Sequence, residues 1–198
     1  MIDPMALKGP GLIEKIDLSS NRLTVLNSNL FSYLVNLRYL MLNNNLLKSI
    51  HPDTFNKVNL LITLDLSMNS LGDFDLRFLT TSDFAQLRNL KLSHNKLTII
   101  QPSQFICLSS LTTLDLSSNK IRKISDCAFH GLQFTIKNLL LNYNLINQIN
   151  SCAFSLEFST LRFVQIIRNP LNCSNNCEFF FTVYKQPYSI DYKGNYVC

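Results

Sequence analysis

The side chains that could do chemistry are few, and their spacing argues against catalysis. Three histidines, His51, His94 and His130, fall at unrelated places in the 198-residue chain. Asp17, Asp65 and Asp115 recur with the same neighbours, Asp-Leu-Ser, but far apart in sequence. General acid–base work needs two such groups within hydrogen-bond reach of one substrate atom. With only five glycines no Gly-rich phosphate loop occurs. Six cysteines remain: Cys107, Cys127, Cys152, Cys173, Cys177 and Cys198. Cys173 and Cys177 have the spacing of a half metal site, yet no histidine or second close pair completes it. The sequence therefore predicts no enzyme, no metal and no cofactor. What remains to explain is a surface and the elements that present it.

Those elements are visible in LTTLDLSSNKI, residues 111–121, where Leu111, Leu114, Leu116 and Ile121 are spaced around Asn119. The same pattern begins at Ile13, Leu37, Leu61, Leu87, Ile136 and Leu161, at intervals of 24, 24, 26, 24, 25 and 25 residues. A fixed period of this length marks a stacked solenoid. Alternating apolar residues give a short strand with one buried face, and copies running in one direction must pair in parallel. No copy can bury its own face alone, so neighbours stack. The asparagines at 21, 45, 69, 95, 119, 144 and 169 stand where each strand turns away. An amide there can satisfy backbone groups that would otherwise be buried unpaired.

This pattern resembles the leucine-rich repeat family. Phe31, Phe55, Phe105, Phe129 and Phe154 follow the apolar pattern on the returning side, as in the animal extracellular subclass that includes Toll-like receptor ectodomains and variable lymphocyte receptors. The resemblance implies an α/β solenoid. Its leucine-rich repeat horseshoe would have a parallel concave β-sheet, an irregular or short-helical convex side and a C-terminal cysteine cap. Residues 13–168 form the seven repeats and 169–198 the cap. Residues 1–12 read as a leader, partly added ahead of the natural chain, and an entry segment that lacks the family's N-terminal cysteines. Without that cover, association through the first strand's edge, including a homodimer, is expected. The third unit is long, and its extra residues 72–83 should bulge or form a short helix on the returning side.

In the cap, NPLNCSNNCEFFF and the closing Tyr-Val-Cys are similar to extracellular members that use four cysteines in two disulfides. Three are present, Cys173, Cys177 and Cys198, and the spacing Cys-x3-Cys departs from the family's commoner Cys-x-Cys, which leaves the pairing open; by position Cys173 with Cys198 is favoured. Phe179, Phe180, Phe181 and Tyr184 would cover the open end of the core. Asn172-Cys173-Ser174 is a glycosylation sequon. Cys127 and Cys152 occupy equivalent places in adjacent units and read either as a disulfide or as two small buried plugs; Cys107 reads as a buried thiol.

Residues between the ruler positions face outward from the sheet, and most are small and polar. Tyr39 and Met41 make a small apolar spot in unit two. Leu140, Tyr143, Phe163, Ile167 and Arg168 make a larger one in units six and seven. Aromatic and Arg side chains clustered on an exposed face have the composition of an interaction hot spot; the alternative is that the cap folds over them. The resemblance implies extracellular recognition of a protein or microbial ligand, as the ectodomain of a cell-surface or endosomal innate immune receptor or as a secreted protein. An adhesion protein of matrix or synapse is the alternative. The net charge of +5 reads as scattered over a solvated surface, which argues against nucleic acid. No apolar run approaches the ~20 residues of a membrane helix.

Overall fold

Each Leu-x-Leu segment forms a strand of three residues, too short to be stable without its neighbours. The computed structural model describes residues 2, 7–8, 12–80, 82–149, 153, 158–171 and 190–191. Seven such strands stack in chain order: β1 (Lys15–Asp17), β3 (Tyr39–Met41), β5 (Thr63–Asp65), β6 (Asn89–Lys91), β8 (Thr113–Asp115), β10 (Asn138–Leu140) and β11 (Phe163–Gln165). All pair in parallel and in register, so the central leucines Leu40, Leu64, Leu90, Leu114 and Leu139 form one column. Each of these five is at most 1% exposed. An eighth strand, β12 (Ile190–Asp191), pairs with β11 at Val164 and Gln165 and extends the sheet beyond the seventh repeat. The apolar ruler gave no sign of it, because its residues follow no leucine pattern.

The asparagine column works as the amide chemistry demands. Asn119 Nδ2 donates to the carbonyls of Leu92, Leu116 and Ser117, and its Oδ1 accepts from the Leu97 N–H. Asn45, Asn69, Asn95, Asn144 and Asn169 repeat this set. Every unit junction is thus bolted twice, once by backbone and once by an amide.

The residue before each asparagine is left-handed. Ser20, Asn44, Met68, His94, Ser118, Tyr143 and Arg168 all have φ between 53° and 58°. A non-glycine residue is disfavoured there by about 1–2 kcal/mol. The bend is held because its N–H reaches across to the next unit in the first six cases, as from His94 to the Ser117 carbonyl at 3.0 Å.

On the returning side Phe31, Phe55, Phe105 and Phe129 are buried, and Phe154 lies outside the described residues. The spacing Phe-x-x-Leu has a simple cause: the N–H of Leu34, Val58, Leu108 and Leu132 donates to the carbonyl of the Phe three residues earlier, closing a turn. Phe31 stacks on Phe55, with ring centres 5.7 Å apart, and Phe105 on Phe129, at 6.1 Å. The insertion in unit three becomes two 3-10 helices, Asp73–Thr80 and Ser82–Phe84. It adds Phe78 to the spine, 5.1 Å from Phe55 and 5.8 Å from Phe84.

That insertion has a topological cost. On the flank where the chain leaves the sheet, β2 (Val25–Leu26) pairs with β4 (Ser49–Ile50), and β7 (Ile99–Ile100) with β9 (Lys123–Ile124). Between these pairs unit three offers helix instead of strand. The Asp73 carboxylate fills the gap, accepting from the N–H groups of Thr98 (2.7 Å) and Ile99 (3.1 Å) and from the Thr98 hydroxyl.

Candidate recognition face

The sheet presents its outward side chains in columns, because parallel in-register strands align equivalent residues. One of these columns holds Asp17, Asp65 and Asp115, each locked to the serine two residues on. Their Oδ1 atoms accept from the Ser19, Ser67 and Ser117 hydroxyls, all at 2.6 Å, and from the same residues' N–H groups. Donation from the Ser19 hydroxyl, and then from its N–H, holds the Asp17 carboxyl below the usual carboxylate range. Lys91 Nζ lies 3.2 Å from Asp65. These carboxylates therefore finish strands, and none is paired with another for proton transfer. Among the described residues no group of three His, Cys, Asp or Glu could hold a metal.

The apolar spot in units six and seven sits on β10, β11 and the bends that follow them. Phe163 is in register with Asn138, and Leu140 with Asp115 on one side and Gln165 on the other. Leu140, Phe163 and Ile167 are half-buried, Arg168 is exposed, and Tyr143 is 54% exposed. The Tyr143 N–H donates to the Ile167 carbonyl at 2.9 Å, which ties the two bends together. The structure brings these five residues onto two adjacent units. Tyr39 and Met41 share β3, four strands away from β10 in the sheet order, and do not join them. Tyr39 is 38% exposed.

One participant escaped the sequence reading. Asn142 lies between Leu140 and Tyr143, and its Oδ1 is buried with no hydrogen-bond partner. An orphaned buried acceptor costs roughly 1–3 kcal/mol. Asn142 stands in a column that also holds Ser19, Asn43, Ser67, Ser93 and Ser117, and nothing in its spacing sets it apart.

Two shallow clefts, of about 540 Å³ and 360 Å³, flank the helical insertion rather than the sheet. Pro52 and Arg77 line the larger, and Arg77 and Pro102 the smaller.

The profile described as leucine rich repeat matches residues 3–75 and 85–146, more than half of the chain. The chain belongs to the leucine-rich repeat family. In fold the repeat protein is similar to the chain solved as the TLR13–ssRNA13 complex, with a TM-score of 0.73 and 26% identity over 80% of this chain. It is also similar to a chain from the Toll–Spatzle complex of Drosophila, with a TM-score of 0.72 and 30% identity over 86%. A stretch of 72 residues is 40% identical to leucine-rich repeat-containing G-protein coupled receptor 5 of Rattus norvegicus. The repeat protein spans 22% and 24% of the two solved chains and 8% of the rat receptor. Its fold is thus that of Toll-type ectodomains, and its relatives include a receptor. No helix among the described residues is long and apolar enough to cross a membrane.

Cys107 and Cys127 are half-buried and carry no disulfide. Cys152, Cys173, Cys177, Cys198, Asn172 and the aromatic residues at 179–181 and 184 lie outside the described residues. At the other end, Leu12 is 76% and Ile13 40% exposed beside β1, the first strand of the sheet.

The expectation of scattered charge is corrected by placing it on the repeats. Residues 13–86 carry six Lys and Arg against seven Asp and Glu, whereas residues 87–170 carry nine against three. The excess lies on the sheet's two margins: Arg88, Lys137 and Arg162 where strands begin, and Lys96, Lys120, Arg122 and Lys123 where the chain leaves them. A reading organised by leucines sorts residues by depth and passes over this sideways alignment.

Proposed function

We propose that this repeat protein is a non-enzymatic recognition module of an extracellular or endosomal receptor, and that it seats a protein ligand on the concave face of units six and seven. Tyr143 carries the reading. It is an exposed aromatic ring on a backbone held in a disfavoured conformation, flanked by half-buried Leu140, Phe163 and Ile167 and by the exposed Arg168. Such a ring loses little conformational freedom on binding, and aromatic and Arg residues dominate interface energetics. The orphaned Asn142 Oδ1 adds a polar site that a shift on binding could satisfy. Tyr39 and Met41 would form a separate, smaller contact. The similarity to chains solved as TLR13 with ssRNA and as Toll with Spatzle supports a ligand-binding role. The division into an entry segment, seven repeats and a cap belongs to the same proposal, as do the cap disulfide and a glycan on Asn172.

A panel of secreted proteins and microbial surface preparations, screened by biolayer interferometry, tests this. Tyr143→Ala with Phe163→Ala should weaken any captured protein ligand by more than about 30-fold, as expected for losing at least ~2 kcal/mol of hot-spot contact. The melting temperature should stay nearly unchanged. Undiminished binding would move the contact elsewhere. A large drop in melting temperature would show that the patch is covered by the cap.

A further inference from the structure

We propose that the flank of units four and five, where the chain leaves the sheet, binds a sulfated polysaccharide. Lys96 and Lys120 hold equivalent places one unit apart, their N–H groups donating to the carbonyls of Leu71 and Leu97, both at 2.9 Å. Arg122 follows, bonded through its N–H to the Thr98 carbonyl, and Lys123 lies in β9 opposite Ile99. All four side chains are exposed. None has a carboxylate within 4.0 Å among the described residues, unlike Lys91, which is paired with Asp65. Asp73, in the neighbouring unit, is engaged by Thr98 and Ile99. Four uncompensated cations are thus fixed on a hydrogen-bonded backbone, adjacent units being ~4.8 Å apart.

This arrangement suits a linear polyanion whose charges are met singly by Lys and Arg. The surroundings exclude the competing partners. Single-stranded nucleic acid needs aromatic platforms beside its cations, whereas the equivalent places in units three and six hold Ser70, Gly72, Leu145 and Asn147. A membrane surface needs an apolar face next to the charge, and Leu145 alone, 41% exposed, provides little. The flank is distinct from the concave patch and does not depend on it.

Titration of the whole chain with a size-fractionated heparin oligosaccharide tests the assignment. With four contacts, each releasing roughly 0.7–0.9 counterion, affinity should fall about 50- to 150-fold between about 50 and about 200 mM salt. Lys120→Ala, Arg122→Ala and Lys123→Ala together should lower low-salt affinity at least about tenfold and flatten the salt slope by about 2–3. Removing the same charge from the opposite margin, with Arg88→Ala, Lys137→Ala and Arg162→Ala, should change affinity by no more than about twofold. Equal losses in the two triple variants would overturn the proposal, since only net charge would then matter. So would wild-type affinity in the flank variant, or stronger binding to polyuridylate or to phosphatidylserine vesicles than to heparin. If the flank variant fails to melt cooperatively, Lys96→Ala with Lys120→Ala carries the same comparison. Tyr143→Ala with Phe163→Ala should bind heparin normally, which separates failure here from failure of the concave site.

Discussion

Replacing Asn119 by alanine should cost far more than replacing Asn21, although the two occupy the same place in their repeats. Asn119 is 8% exposed and makes four hydrogen bonds, three to carbonyls and one from the Leu97 N–H. The carbonyls are insured. Leu92 also receives the Asn95 amide at 3.1 Å, Leu116 the Asn144 amide at 3.0 Å, and Ser117 the His94 N–H at 3.0 Å. The Leu97 N–H has no such second partner, and Leu97 is fully buried. One orphaned buried donor costs about 1–3 kcal/mol, and weakened carbonyl contacts add to it, so the expected loss is about 2–4 kcal/mol. For a chain of this size that lowers the melting temperature by roughly 5–15 °C. Among the described residues Asn21 bonds only to the Leu18 and Ser19 carbonyls, in an exposed setting, and Leu18 keeps the Asn45 amide. Asn21→Ala should cost under about 1 kcal/mol. Asn119→Asp keeps an acceptor for Leu97 but points a carboxylate at three carbonyls, and should be no milder than Asn119→Ala. Urea unfolding followed by circular dichroism measures all three. Similar losses at positions 21 and 119 would refute the claim that the column acts between units rather than within them.

Asp73→Ala should destabilise by about 2 kcal/mol and should selectively speed amide exchange at Thr98 and Ile99. Asp73→Asn should do so less, because Oδ1 alone accepts both backbone bonds; equal effects would show that charge rather than bonding matters there. Gly131→Ala should cost about 2–4 kcal/mol in urea unfolding. Gly131 has φ of +97°, and a Cβ would meet the Ile106 Cα at 2.8 Å. A neutral result would mean that units four and five separate easily on their convex side.

What the sequence made legible follows from how the fold spends its residues. Leucines and asparagines recur because each solves a problem common to every unit, the burial of one face and the pairing of one bend. Parallel strands, their order and the amide ladder could therefore be read directly. Phe78 and Asp73 could not, since each repairs a single irregularity that the period does not contain. Phe78 fills the returning side where unit three is longer, and Asp73 replaces the strand that the insertion displaced. The same limit governs the candidate site. Leu140, Tyr143, Phe163, Ile167 and Arg168 stood out because they interrupt columns of mostly small polar residues. Asn142 did not, because an asparagine there is ordinary until its oxygen is found buried and unpaired.

Function in such a fold has to come from departures of this kind. The ruler residues face inward and are held by every neighbour, so changing one disturbs at least two units. Outward columns carry no such constraint, and a ligand can be accommodated by editing them one residue at a time. Lys96 and Lys120 illustrate the point: their N–H groups make the backbone bonds that their place requires, as Ser70 and Leu145 do in the flanking units, while their side chains serve no packing role. A residue type that the scaffold does not need, repeated at equivalent places in adjacent units, is the form that selection for a partner takes here. By that criterion the flank of units four and five and the concave patch of units six and seven are proposed as two separate surfaces along one sheet.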